Sequence, residues 1–258
     1  SRTLSLILYG DLDISVVDEL PPGRKPVKTY NVPSSMRNRV YEFIRKQVKE
    51  GRQAYVVCPL IEESDRIESV AATEIYNKLK KGPLSLLNVG LLHGKMKPSE
   101  KEAVMEQFAA GYIDVLVSTT VIEVGVNVVN ATLMVIENAE RFGLAQLHQL
   151  RGRVGRGKYQ SYCVLIADAN TREIQERMNI MVKSNNGFDI AEKDLQLRGP
   201  GDLFGIRQHG LPEFKIANLA TDIDILKKAQ NAVDDILAEK DSDDYKPLIE
   251  YVMRKFNQ

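Results

Sequence analysis

The sequence predicts an α/β fold in which a parallel β-sheet is flanked by helices and followed by a helical carboxyl-terminal region. Short apolar runs alternate with amphipathic helical patterns between residues 34 and 168, which is typical of a parallel sheet covered on both faces. Strand signals stop after Asp168. The chain has 258 residues, 43% of them hydrophobic, which is enough for one large or two small domains.

Six short apolar runs predict the strands of this sheet. They are residues 27–32, 54–58, 86–92, 113–117, 132–136 and 162–166. Helices are predicted between the strands, because apolar residues recur there at helical spacing. Glycine or proline marks the ends of three of these helices, at Gly51, Gly82, Pro83, Pro98 and Gly111. The helix before the last strand covers residues 144–150.

The two ends of the chain depart from this alternation. Residues 1–33 include the turn-forming run Pro21-Pro22-Gly23, and we interpret them as the end of another domain followed by a linker. After residue 168, a helix is predicted over 171–184 and a turn at 185–187, and residues 189–210 are polar and rich in glycine. Further helices are predicted around 223–237 and over 248–256.

Composition bears on several functional classes. Lysine plus arginine and aspartate plus glutamate both number 35, so a nucleic-acid binder that relies on net charge alone is disfavoured, and any DNA contact must come from local patches. Cys58 and Cys163 lie in apolar runs without metal-ligand spacing, which predicts buried free thiols and no metal site. No apolar run reaches the roughly 18 residues that span a bilayer. We therefore expect a cytoplasmic protein without membrane contact.

Residues 149–156 carry the most informative pattern, Gln-x-x-Gly-Arg-x-Gly-Arg. Its arginines, Arg153 and Arg156, keep their charge and offer planar donor forks that suit phosphate oxygens. The glycine before each arginine lets the backbone approach a ligand closely. An arginine supplied from outside the phosphate-binding loop can stabilise charge on a transferring phosphoryl group. The pattern resembles motif VI of superfamily 2 helicases.

Two earlier segments follow the order found in the same helicases. Ser-Thr-Thr at 118–120 comes directly after a predicted strand, where hydroxyls and backbone amides can hold phosphate oxygens, and with residues 123–127 it resembles motif V. His-Gly-Lys-Met at 93–96 stands between a strand and a helix start, where a lysine and the helix N-terminus can bind phosphate. It is similar to the element that precedes the DNA-facing helix.

Longer passages narrow the resemblance to the RecG family. Residues 9–13, Tyr-Gly-Asp-Leu-Asp, and 18–26, Asp-Glu-Leu-Pro-Pro-Gly-Arg-Lys-Pro, are similar to the passage after motif III in that family. Residues 187–195 and 197–210 are similar to the translocation motif that it shares with the transcription-repair coupling factor. The resemblance covers essentially the whole chain. It implies the end of a first motor domain and a linker (1–33), a second RecA-like domain of the P-loop NTPase type (34–168), and a translocation-motif helical hairpin, loop and carboxyl-terminal helices (169–258).

The resemblance also implies residue roles. The residues expected to reach the γ-phosphate of ATP are Arg153 and Arg156. Those expected to line the nucleotide cleft are Gln149, Glu123, Gly125 and Asn127, the last standing where the family usually has aspartate. Those expected to contact DNA are Ser118, Thr119, Thr120, His93 and Lys95. Those expected to couple ATP turnover to translocation are Arg177, Arg198, Arg207 and Gln208.

The function implied is that of the carboxyl-terminal part of an ATP-dependent DNA helicase, a double-stranded DNA translocase acting in branch migration and replication-fork reversal during repair and recombination. Its expected partners are branched or forked duplex DNA and the wedge and first motor domain of the same polypeptide. No Gly-x-x-x-x-Gly-Lys-Ser/Thr run and no acidic Asp-Glu-x-His-type box occurs, so the ligands for phosphate and Mg²⁺ are expected mainly on that first domain, and the fragment alone is expected to be inactive. The expected location is the bacterial cytoplasm, in association with the nucleoid.

Two alternatives stay open. One is a translocase like the transcription-repair coupling factor, against which the passage at 18–26 argues. The other is a helicase-like module that binds a nucleic acid or a protein without catalysis. A phosphate-binding loop upstream in the parent gene would exclude the second alternative.

Overall fold

The structure, a computed structural model, describes residues 25–59, 65–119, 128–198 and 245–256, together with isolated positions between 225 and 236. Its central feature is a six-stranded sheet in which every pairing is parallel, with the strand order β1-β6-β5-β2-β4-β3. The strands are β1 (Lys28–Val32), β2 (Gln53–Val57), β3 (Val89–Leu92), β4 (Val115–Ser118), β5 (Ala131–Ile136) and β6 (Tyr162–Ile166). The predicted RecA-like α/β class is therefore confirmed.

Helices cover both faces of the sheet because alternate strand residues point to opposite sides. In β2, Val56 packs with α1 and α2, whereas Tyr55 packs with α3 and stacks at a tilt on Phe108, with the ring centroids 4.9 Å apart. The helices of this unit are α1 (Arg37–Lys49), α2 (Asp65–Lys81), α3 (Pro98–Ala109), α4 (Leu144–Arg151), α5 (Arg172–Lys183) and α6 (Gly187–Arg198).

The compact unit that contains the sheet extends through Leu197, so it includes α5 and most of α6. These two consecutive helices occupy the place of the predicted hairpin, and the name hairpin is kept for them below. Met178 and Met181 of α5 and Ile190 of α6 are buried in the same apolar cluster as α4. The predicted turn at 185–187 lies where α5 ends, and Gly187 begins α6. The last helix, α7 (Lys246–Phe256), belongs to a second unit and begins two residues before the predicted start at 248.

The largest error in the predicted strand bounds lies at the start of β3. The run 86–92 was expected to be extended throughout, but β3 starts only at Val89. Residues 82–87 form turns after α2, in which the amide of Leu84 donates to the carbonyl of Leu79 and that of Leu87 to Leu84. Leu86 is 96% exposed, so its apolar side chain contributes nothing to the core that the pattern seemed to indicate.

Cys58 and Cys163 are buried free thiols, as predicted, and burial raises the pKa of each to about 12. Within the described ranges, no group of three or more histidine, cysteine, aspartate or glutamate residues is placed to hold a metal ion. In the same ranges, no helix combines the length and apolar character needed to cross a bilayer.

Candidate functional site

The predicted site residues divide between the two edges of the sheet. Because all strands are parallel, their carboxyl ends share one edge and their amino ends share the other. Ser118 ends β4, and His93 follows the neighbouring strand β3, so these positions lie at the carboxyl edge. Arg153 and Arg156 lie in the connection from α4 to the start of β6, which is at the amino edge. A strand of four residues such as β4 is about 13 Å long, which sets the scale of the separation.

At the carboxyl edge, β3 and β4 continue to interact beyond their last ladder pair. The amide of Thr119 donates to the carbonyl of Leu92 at 3.2 Å, and the Ser118 hydroxyl donates to the Thr119 carbonyl at 2.6 Å. Both side chains are buried. The hydroxyl of Thr119 and Nδ1 of His93 are buried and have no hydrogen-bond partner among the described residues. Unpaired buried polar atoms are uncommon in folded proteins, so this corner has spare capacity for hydrogen bonds.

Positive charge surrounds the same corner. Lys95 is exposed in the loop after β3, and Lys101 of α3 donates to the carbonyl of Gly94 at 2.7 Å. Partial burial and these two lysines lower the pKa of His93, which favours its neutral ring near pH 7. A cationic loop at a helix N-terminus suits phosphate oxygens. Thr120, also predicted to contact DNA, lies outside the described residues.

At the amino edge, a glycine turn holds the two arginines of motif VI. Gly155 has φ +79°, a conformation that side chains rarely adopt, and an added Cβ there would lie 2.7 Å from Cγ2 of Val27. Val154 is buried, whereas Arg153 and Arg156 on either side of it are partly exposed. Arg156 Nε donates to the carbonyl of Gly152 at 3.2 Å. Arg153 makes no hydrogen bond or ion pair within the described part of the chain.

The residues that come shortly after motif V and directly after motif VI meet at this edge. A Cβ on Gly157 would lie 2.9 Å from Cγ1 of Val129, so the two segments are in close contact. Residues 120–127 connect the carboxyl end of β4 to this contact, and they lie outside the described residues. That segment holds three residues predicted to line the nucleotide cleft: Glu123, Gly125 and Asn127. The fourth, Gln149, is exposed on α4.

The hairpin contacts the loop that leads into motif VI. Arg177 of α5 donates to the carbonyl of Glu140 at 2.9 Å and to that of Phe142 at 3.5 Å, just before α4 begins. Arg198 ends α6, and its side chain is not described. Arg207 and Gln208 lie outside the described residues. The expected role of these four residues in coupling therefore stays a prediction.

Arg151 is an important residue that the sequence reasoning missed. Its side chain is buried, and Nη1 donates to the carbonyl of Met181 at 2.9 Å and to that of Ser184 at 2.8 Å. Nη1 also lies 3.4 Å from Oγ1 of Thr29, and Nη2 lies 2.9 Å from Nδ1 of His148. Helical spacing was the available signal, because position 151 falls on the same face of α4 as the buried leucines.

Glu137 is a second residue that sequence reasoning missed. It follows β5, is 2% exposed, and accepts hydrogen bonds from Arg37 Nε and the Tyr41 hydroxyl, both at 3.0 Å. Burial, together with the neighbouring carboxylate, raises the pKa of Tyr41. The two hydrogen bonds to Glu137 connect the first turns of α1 to the carboxyl end of β5. Since both donors belong to α1, the role visible in the structure is to hold that helix on the sheet.

Comparisons with known proteins match most of this chain. The family described as "Helicase conserved C-terminal domain" matches residues 36–158, and the family described as "ATP-dependent DNA helicase RecG, domain 3, C-terminal" matches residues 184–258. The ATP-dependent DNA helicase RecG of Bacillus subtilis is 52% identical over 237 residues, which are 92% of this chain and 35% of the relative. That of Escherichia coli K12 is 53% identical over 231 residues, which are 89% of this chain and 33% of the relative.

A solved structure of RecG bound to a three-way DNA junction is 50% identical in sequence and matches with a TM-score of 0.68, covering 87% of this chain and 29% of that one. This chain belongs to the RecG family. It spans about a third of the length of the RecG relatives that it matches. The RecG-specific match starts at residue 184, within the corner where Arg151 meets the end of α5.

In this RecG-family chain, we expect His148 to make the stability of the fold depend on pH. Burial and the adjacent Arg151 lower the pKa of His148 below its ordinary 6.5. A histidine with a depressed folded-state pKa binds its proton more readily in the unfolded state, so stability is full above about 6.5 and falls as the pH drops through it. We expect the urea midpoint of this chain to fall between about pH 7.5 and 5.5, and to fall less in His148→Asn. Equal falls in both proteins would contradict the assignment.

Proposed function

We propose that this chain is the second motor domain and translocation region of an ATP-dependent DNA helicase that moves on branched or forked duplex DNA. The observation that carries the proposal is the pair Arg153 and Arg156, which are partly exposed on either side of the positive-φ turn at Gly155. They lie next to the close contact between Gly157 and Val129. The RecG relatives support it, since they are named as ATP-dependent DNA helicases. The solved relative bound to a three-way junction supports branched DNA as the substrate.

The arginines fit the phosphates of ATP. A guanidinium group binds phosphate oxygens through several parallel donors, and Arg153 has no internal partner among the described residues. Bound ATP with Mg²⁺ would supply the phosphoryl transfer that drives the motor. Arg153 and Arg156 would hold the terminal phosphate and stabilise its developing charge, whereas a phosphate-binding loop would have to come from elsewhere in the polypeptide, since none occurs in this sequence.

The opposite edge fits a DNA backbone. His93, Lys95, Ser118 and Thr119 gather where β3 and β4 end. Two buried polar atoms there have no partner among the described residues, and Lys95 provides exposed positive charge. Contacts of this kind position a protein on nucleic acid without reading its sequence. The formal net charge of zero is compatible with such a patch, because the attraction is local. We propose that this edge holds the sugar–phosphate backbone during translocation.

Within the whole protein, we propose that translocation serves branch migration and fork reversal in the bacterial cytoplasm. The direct test is to purify the full-length parent and measure ATP hydrolysis and unwinding with a synthetic three-way junction. Junction-dependent hydrolysis with unwinding is expected. Binding without hydrolysis would favour a non-catalytic module, and translocation on linear duplex without preference for junctions would favour the role of a transcription-repair translocase.

Arg177 gives a prediction about coupling. Its bonds to the carbonyls of Glu140 and Phe142 join the hairpin to the entry of α4, so Arg177→Ala in the full-length parent should loosen that joint. We expect ATP hydrolysis to persist and junction unwinding per ATP to fall by about 5- to 150-fold, the usual range of a coupling free energy. Both activities are measured on one preparation.

Arg172→Ala is the matched control for this variant. Arg172 lies on the same helix with its side chain 91% exposed, and within the described ranges it pairs only with Glu176, one turn away. It should behave as the unmodified protein does. Unwinding per ATP that is unchanged in Arg177→Ala would remove the proposed role.

A further inference from the structure

Arg151 connects motif VI, which is proposed to contact the nucleotide, with the α5–α6 region, which is proposed to act in translocation. It ends α4 and stands two residues before Arg153, yet its guanidinium group lies at the corner between α5 and α6. Two short hydrogen bonds, of 2.9 and 2.8 Å, reach the carbonyls of Met181 and Ser184. A movement of the motif VI backbone at residue 151 must therefore move this corner or break those bonds.

The charge of Arg151 favours its contact with the carbonyls at the end of α5. The last carbonyls of a helix lack partners within the helix, and a cation there also meets the negative end of the helix dipole. Arg151 supplies that cation at the end of α5 and forms no ion pair with a described carboxylate. Burial lowers its pKa, but an arginine remains charged. A buried charge deprived of its acceptors is costly, so the guanidinium group has a strong reason to keep these carbonyls.

A second contact at the same corner comes from α6. A Cβ placed on Gly187 would lie 2.9 Å from Nε2 of His148, whose Nδ1 is 2.9 Å from Arg151 Nη2. The imidazole thus fills the space between the start of α6 and the guanidinium group. Its position is fixed from both sides, since it cannot withdraw from Gly187 without disturbing Arg151.

We propose that Arg151 is the positioning residue that transmits a shift of the motif VI turn to the corner between α5 and α6. This proposal rests on the proposed function, because it assumes that Arg153 and Arg156 move when the nucleotide state changes. Arg177 of α5 bonds to the segment just before α4, through the carbonyls of Glu140 and Phe142. With α5 bonded both to this segment and to the last residue of α4, a movement of α4 is passed on to α5.

The test compares Arg151→Met and Arg151→Lys in the full-length parent, using a synthetic three-way junction. Methionine keeps the apolar length and removes every donor, whereas lysine keeps the charge but cannot serve both carbonyls and His148 together. Because Arg153 and Arg156 are retained, ATP hydrolysis at saturating junction should be largely preserved. Unwinding per ATP should fall by about 5- to 150-fold in Arg151→Met, and lysine should restore part of it. Arg172→Met serves as the exposed control.

A second variant, in α6, perturbs the same corner and allows the proposal to be tested even if Arg151→Met fails to fold. Gly187→Ala lies in a helix and retains Arg151, but its Cβ would displace His148. We expect the same loss of unwinding per ATP. Amide hydrogen exchange of residues 180–190 should respond to an ATP analogue in the unmodified parent and lose that response in both variants.

Several outcomes would overturn the proposal. An unchanged ratio of unwinding to hydrolysis in folded Arg151→Met or in Gly187→Ala would do so, and so would equal losses of both activities, which indicate a purely structural or catalytic role. A hydrogen-exchange response that survives in the variants would also contradict it. Failure of the proposed function is distinguishable, because the unmodified parent would then show no junction-dependent hydrolysis at all.

Discussion

In the full-length parent, Arg156→Ala is expected to lower ATP turnover by roughly 10³–10⁵-fold, the contribution of arginines that stabilise charge on a transferring phosphoryl group. Arg153→Ala should act in the same direction. Affinity for junction DNA should change little, because the residues proposed to contact DNA lie at the opposite edge of the sheet. Turnover at saturating junction and DNA affinity are measured side by side.

The exposed arginine of α5 again provides a control, since Arg172→Ala should affect neither quantity. Arg156→Lys separates charge from geometry, because lysine keeps the charge and loses the planar fork. The opposite pattern would contradict the assignment: normal turnover with greatly weakened DNA binding would make these arginines DNA contacts.

The second large effect concerns the chain by itself. We expect the purified 258-residue chain to show no ATP turnover above background, with or without junction DNA. The physical reason is that Arg153 and Arg156 can act only on a nucleotide held by another element, and the sequence contains no phosphate-binding loop. A steady-state assay at high protein concentration, with the full-length parent as the positive control, measures this.

A trace of turnover in such a preparation needs a further check. If the activity disappears in Arg156→Ala prepared identically, it belongs to this chain, and the expectation is wrong. If it persists in that variant, it comes from another enzyme in the preparation. The circular dichroism spectra of both proteins must match, so that a loss of activity is not a loss of fold.

Much of the fold could be predicted because its signals are local. Continuous apolar runs placed all six strands, and the strand at 162–166 was predicted with its observed bounds. Leu86 shows the limit of this reasoning. Its apolar neighbours extend the β3 pattern backwards, but turn hydrogen bonds after α2 decide the local conformation and leave it 96% exposed.

The site residues that belong to a sequence motif could be predicted. Those whose role comes from contacts between distant parts of the chain could not. Arg153 and Arg156 stand in a recognisable pattern, and the structure leaves both partly exposed. Glu137 and Arg37 are a hundred positions apart, and nothing near either in the sequence announces their pairing. Arg151 looks like one more basic residue of the motif. Its burial depends on carbonyls thirty and thirty-three positions away.

Because those carbonyls belong to the main chain, the Arg151 contact affects which substitutions are expected among homologues and in a search for compensating mutations. Two of its bonds end on main-chain atoms, so replacing the side chain of Met181 or Ser184 leaves these acceptors in place. Neither position need change in step with 151, and correlated substitutions among homologues would not reveal the contact. A search for compensating mutations of a damaged Arg151 should likewise find none that act through those two side chains. The part of the joint that rests on these carbonyls is thus hidden from methods that compare sequences, unlike the part formed by the side chain of His148.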